Sequence, residues 1–242
     1  MSVKIYGNDN LRGDKKMGGF FNYDSPLMSG LGKLADLVIL NLLTLLFCIP
    51  IVTIGASLTA CHYVALKIRR GEGYVIKNFW KSFKENFLQS TAIWLIVSFG
   101  LALSLFVALF FNVEGTMASI SRGVLFAATI FWGFIACWVF PLQSKFANTI
   151  KNTIKNSFLL SFKYLFRTIL MLVINLVPVV LILVLSFQWY SLLFMFGFSA
   201  PTYLCAMLYD KKFEELEEMI LQNQAEEAEV TEEIFTIEEG TN

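Results

Sequence analysis

Apolar residues along this chain fall in long unbroken runs separated by short basic stretches. Residues 37–66 contain no Lys, Arg, Asp or Glu, and neither do 91–111, 123–140, 168–187 and 189–209. A bilayer core takes roughly 20 helical residues, so each of the last four runs predicts one transmembrane helix. The first run, 30 residues long, is too long for one crossing and short for two. Its centre, "CIPIVTIGASLTACHYV", contains the means to turn. Pro50 removes an amide donor and disfavours helix at the residue before it, and Gly55 tolerates backbone angles that other residues avoid. Thr53 lies between them.

Beyond that break, Ser57, Cys61 and Ala65 recur every four residues and predict a small-residue face for close helix packing. The expected fold is therefore all-α and polytopic: a Pro/Gly-broken helical hairpin over 34–68 followed by transmembrane helices at about 91–111, 123–140, 168–187 and 189–209. The competing arrangement has five transmembrane helices and an amphipathic surface helix. "SFKENF" at 82–87 and "SFKYLF" at 161–166 form a weak internal repeat that favours this alternative if the chain is duplicated. Used twice as an interfacial entry sequence, with aromatics at headgroup depth and Lys reaching water, it is neutral.

Composition agrees with a membrane chain: 56% of residues are apolar, 16% charged, and 24 are Phe, against about 25% charged in soluble domains. The polar first 33 residues argue against a cleaved signal peptide. The formal net charge of zero conceals a division into a body, residues 1–209, at +10 and a tail, 210–242, at −10. The tail is expected to be cytoplasmic, helical in its first turns and then disordered, with docking on the basic loops as the sharper alternative.

Positive charge also sets the expected orientation. Basic residues cluster after the first run and again after the third long one, whereas 112–121 and 186–190 carry no Lys or Arg. With the N-terminal segment 1–33 cytoplasmic, 18 of the 19 basic residues lie inside; with it outside, 13 do. Charge thus favours an even number of passes, both termini in the cytoplasm, and the lipid bilayer as the principal partner.

Chemistry-bearing motifs are sparse. His62 is the single histidine, and Cys48, Cys61, Cys137 and Cys205 lie in apolar segments without metal spacing. No phosphate-cradling or dinucleotide loop stands in a supporting context. Neither catalysis, a cofactor, a metal nor nucleic-acid binding is expected. The candidate intramembrane polar residues are Asp36, Asn41, His62 and Asn175. Asp36 is expected to pair with Lys33 near the membrane edge, Asn41 and Asn175 to bond between helices, and His62 to bond a neighbour or serve a proton-sensitive path. Pro178 and Pro201 are expected to kink the helices that contain them.

The first 90 residues resemble the YesL-like family of bacterial integral membrane proteins. The resemblance rests on "FNYD" at 21–24, "GKLAD" at 32–36, "NLL" at 41–43, "PIVTIGA" at 50–56 and "SFKENF" at 82–87. His62 stands where that resemblance leads one to expect Tyr or Leu, and the acidic tail looks individual. The resemblance implies a non-enzymatic accessory or regulatory protein of the bacterial cell membrane, linked to carbohydrate uptake or sensing through a sugar-import permease or sensor kinase. The alternative is a small transporter with a site near Asn41, Pro50, Thr53, Asn175 and Pro178.

Overall fold

The computed structural model describes the backbone of residues 4–5, 26–72, 74–110, 116–184 and 194–240. Nearly all of it is helix: α1 (Pro26–Cys48), α2 (Ile54–Arg70), α3 (Val75–Phe110), α4 (Thr116–Lys145), α5 (Ile150–Lys163), α6 (Leu165–Val184) and α7 (Ser199–Gly240). The protein is an all-α polytopic helical protein. Four helical stretches are long and apolar enough to cross a membrane, Gly30–Cys48, Ile51–Arg70, Val75–Val107 and Ile120–Lys145, and the bent pair α5 and α6 makes a fifth. In a hydrocarbon layer every backbone group must find its partner within the protein, and helices satisfy this within a single segment.

The 37–66 run folds back on itself. α1 and α2 are joined by one turn of 3-10 helix, Ile51–Thr53, and pack as antiparallel arms, with Ser57 Oγ donating to the Thr44 carbonyl at 3.0 Å. Small residues allow this closeness: Gly55, Ala56, Ser57, Ala60, Cys61 and Ala65 are all buried on α2. At Gly55 α3 presses directly on the backbone, and a Cβ there would overlap the Ser90 carbonyl and the Trp94 Cβ.

α3 shows how deep the hairpin reaches. Its 36 residues span about 54 Å at 1.5 Å per residue, well beyond a hydrocarbon layer of about 30 Å. The first half carries Lys77, Lys81, Lys84 and Glu85, and the uncharged half starts near residue 91. The hairpin apex meets α3 at this boundary, where Thr91 Oγ1 donates to the Val52 carbonyl at 3.2 Å and Thr59 Oγ1 donates to Ser90 Oγ at 2.9 Å. α2 therefore runs beside the charged half of α3. The hairpin turns back where α3 enters its apolar half.

Two stretches read as basic loops are largely helix. The segment after α2 is open only around Gly71, which ends α2 at φ 74°, and then becomes the first half of α3. The segment after α4 holds α5, capped by Thr149, whose Oγ1 accepts from the Asn152 amide. α5 and α6 meet at a 104° bend at Tyr164. Trp138 Nε1 donates to Thr168 Oγ1 at 2.9 Å, and that hydroxyl donates to the Ser161 carbonyl at 2.9 Å, tying α4, α5 and α6 together there. The two repeat copies are not equivalent: 82–87 lies inside α3, whereas 161–166 straddles this bend.

One end of the bundle gathers the basic residues. β1 (Lys4–Ile5) pairs antiparallel with β2 (Phe146–Ala147) beside Lys145, so this part of the N-terminal segment sits at the same end as the α4–α5 connection. The acidic tail arrives there too. Where disorder was expected after its first turns, α7 is helical through Gly240. The connections at 111–115 and 185–193 lie outside the described residues.

Candidate functional site at the junction of hairpin and bundle

Two helix breaks frame the site. At the first, Thr53 Oγ1 lies 2.6 Å from the Phe47 carbonyl and 2.8 Å from that of Pro50. It satisfies the Phe47 carbonyl that α1 leaves open where proline stops the helix. The second break corrects the sequence expectation of an unbroken helix over 189–209. Residues 194–196 form a helical turn, Gly197 and Phe198 turn the chain, and α7 begins at Ser199.

Asn41, from the middle of α1 and fully buried, holds this second break. Its Oδ1 accepts from the Phe198 and Ser199 amides at 2.8 and 3.0 Å, and its Nδ2 donates to the Phe194 carbonyl at 2.7 Å. This is the capping a Ser or Asn usually performs locally, supplied from another helix. Pro201 does not kink α7. It lies in the first turn, where a missing amide costs nothing because no carbonyl precedes it. Pro178 does lie inside α6, and a second internal proline, Pro141, lies inside α4.

Beside the second break lies a cavity of about 720 Å³. The hairpin contributes Leu45, Leu58 and His62; α3 contributes Trp94; α4 contributes Gly133, Ala136, Cys137 and Phe140. The remaining wall comes from Leu172, Asn175, Pro178 and Val179 of α6 and from Phe194, Gly197, Phe198, Pro201 and Thr202 around the second break. Ligand cavities of this kind typically hold about 300–1,000 Å³ within mostly apolar walls and a few polar groups.

His62, Asn175, Pro178 and Pro201 are thus brought to one place. His62 Nδ1 is hydrogen-bonded to Tyr209 Oη at 3.0 Å, which gives the histidine a structural partner on α7. Asn175 Nδ2 donates to the Met171 carbonyl at 2.8 Å and lies 3.4 Å from Cys205 Sγ. The other candidates are elsewhere. Pro50 and Thr53 sit at the hairpin apex, so the site expected near Asn41, Pro50, Thr53, Asn175 and Pro178 is divided between the apex and the cavity wall. Asp36 is half-buried on α1, and the expected pair with Lys33 does not occur among the described ion pairs. Cys48, Cys61, Cys137 and Cys205 are free thiols, and no cluster of three or more His, Cys, Asp or Glu occurs among the described residues.

An ionic latch closes the junction toward the basic end. Asp210, with only 5% of its side chain exposed, receives Arg69 Nε at 2.7 Å and Arg70 at 2.7 Å. Arg70 also reaches Glu214 at 3.2 Å, and Lys145 pairs with Glu217 at 2.7 Å. Arg167 donates to the Leu208 carbonyl at 3.0 Å on the same turn of α7. The first acids of the tail are therefore docked on the basic ends of α2 and α4. Sequence reasoning passed over Asp210, Tyr209 and Trp94. A lone acid directly after a long apolar run was a legible signal for the first; only packing identifies the other two.

No curated protein and no solved structure matches the chain. Residues 37–111, the second part of α1 with all of α2 and α3, match the model of a family described as a protein of unknown function, DUF624, which is the YesL-like family.

Proposed function

We propose that this protein is a non-enzymatic accessory or regulatory subunit of the bacterial cell membrane, its basic end and both termini in the cytoplasm. The observation that carries the reading is α7. After docking through Asp210, Glu214 and Glu217 it continues as helix to Gly240. Residues 221–240 add about 30 Å of helix with seven Glu and no Lys or Arg. An acidic arm rooted in the bundle suits electrostatic recognition of a basic partner face. The partner class, a sugar-import permease or a sensor kinase, is what the resemblance implies.

The test is purification from native membranes in mild detergent, comparing the full chain with one truncated after residue 223. A stoichiometric permease or kinase that co-purifies with the full chain and is lost on truncation supports the reading; recovery of neither sinks it. The cavity and its two broken helices favour a second reading, a small transporter, since carriers place substrates at such breaks. The lining speaks against a sugar as its solute. A buried hydroxyl without a partner costs about 1–3 kcal/mol, and among the described residues the wall's hydrogen-bonding side chains are His62, Trp94, Asn175 and Thr202, with the weakly bonding Cys137 thiol beside them. Solute flux by the purified protein alone in liposomes would establish the second reading.

A further inference from the structure

Three helices change character at the same level. α6 is free of charge after Arg167, the apolar first turns of α7 end at Asp210, and the charge-free run of α4 ends at Lys145. Arg167 Nη1 donates to the Leu208 carbonyl and Lys145 pairs with Glu217, so these limits lie side by side. In a bilayer such a shared limit is the headgroup layer, where charged side chains meet water and phosphate. α5 adjoins it across the 104° bend and carries its polarity inward: Thr153, Ser157 and Ser161 are buried, whereas Lys151, Lys155, Leu159 and Phe162 are exposed. Lysines mixed with large apolar residues on an outward face are the pattern of a helix lying on a membrane surface.

At the bend one aromatic ring gathers three cations. Lys163 Nζ, Arg167 Cζ and Lys212 Nζ lie 5.5, 5.7 and 5.8 Å from the centre of the Tyr164 ring. Lys212 is paired with Glu215 at 2.5 and 2.6 Å. Arg167 donates to a neutral carbonyl, and neither it nor Lys163 makes an ion pair among the described residues. Two positive charges therefore lack an acid here, whereas Arg69, Arg70 and Lys145 at the same end are matched by Asp210, Glu214 and Glu217. Beside the ring, on the charge-free side of the limit, Phe166, Ile169 and Val173 of α6 are exposed. We propose that the α5–α6 bend binds one anionic phospholipid, its phosphate held by Lys163 and Arg167 and its acyl chains along Phe166, Ile169 and Val173. Arginine offers phosphate a planar fork and lysine a mobile point charge. Charge complementarity selects an anionic over a zwitterionic headgroup, and the adjoining apolar face selects a lipid over free phosphate. The inference goes beyond the accessory role and is independent of any protein partner.

The full chain, purified and delipidated in a nonionic detergent, is titrated with phosphatidylglycerol and with phosphatidylcholine of identical acyl chains, and bound lipid is counted by native mass spectrometry. Lys163→Gln removes an exposed, unmatched charge, and Lys163→Arg keeps it. Lys77→Gln removes the same charge from an exposed position on α3. Arg167→Gln is added to Lys163→Gln in a double variant. Because Arg167 also holds α7 through the Leu208 carbonyl, helix content is compared in every variant by circular dichroism, and the single lysine variants decide the outcome.

One phosphatidylglycerol per chain is expected, bound about tenfold or more tightly than phosphatidylcholine. Lys163→Gln should weaken it about fivefold, the worth of one cation near a membrane surface, and the double variant should bring the two lipids close to equal. Lys163→Arg and Lys77→Gln should leave it within about twofold, since the first keeps the charge and the second lies elsewhere. Glycerol 1-phosphate at millimolar concentration should not displace the lipid; displacement would make a soluble phosphate ester the ligand and overturn the proposal. Equal binding of the two lipids by the unaltered chain, or equal effects of Lys163→Gln and Lys77→Gln at unchanged helix content, would overturn it as well.

Discussion

At the hairpin apex the chain stops its helix at Pro50, and the open Phe47 carbonyl meets Thr53, six residues away. Ahead of α7 the chain turns at Gly197 and Phe198, and the open groups meet Asn41, more than 150 residues away. Both interruptions solve the same problem, that backbone polar groups in an apolar setting must be paired. The first carries its solution in the local sequence. The second borrows it from another helix and so couples the start of α7 to the middle of α1. A break capped locally forms with its own segment; one capped from afar exists only once the bundle has assembled.

The comparison is sharpest at Asn41. Asn41→Leu keeps the approximate size but leaves the Phe194 carbonyl and the Phe198 and Ser199 amides without their partner. We expect a loss of about 3 kcal/mol or more, read as a lowered unfolding midpoint in detergent, with faster hydrogen exchange at residues 198–199 than at the apex. Gly55→Ala tests the packing of the first break. Its methyl would fall on the Ser90 carbonyl and Trp94 Cβ, and overpacking of this kind costs about 1–3 kcal/mol.

The far end of α7 ranks next. Asp210→Asn removes the carboxylate shared by Arg69 and Arg70, whose side chains are 24% and 28% exposed. Partial access to water limits the loss to about 1–2 kcal/mol. It should appear as reduced stability and as increased protease access along α7. The smallest effect belongs to Thr53→Val, about 1 kcal/mol, because one hydroxyl is lost from a half-buried apex. A Thr53→Val loss exceeding that of Asn41→Leu would reverse the comparison and make the local cap the dominant one.

Much of this architecture is legible in the residues. Charge-free runs in a chain this apolar must be helices, and Pro50 marks a turn because it lacks a donor, whereas Gly55, read as part of that turn, is a helical residue of α2 where α3 approaches too closely for a side chain. The small residues of α2 point inward for the same reason that they were noticeable: close backbone approach requires them. Pro201 misled because a proline inside an apolar run resembles a kink until the helix start is known. The acidic tail was legible only as two alternatives, solvated or docked, since a run of like charge reads as solvated until its first members are seen against Arg69, Arg70 and Lys145.

The sequence by itself determined the helices, the hairpin and the separation of charge along the chain, since these follow from solvation and backbone sterics within a single segment. Only the tertiary structure decided that Asn41 caps α7, that His62 bonds Tyr209, that Asp210 latches onto α2, and that six helices line one cavity. Each of these joins residues far apart in the chain. Their partnership is a property of packing, and local spacing carries no record of it.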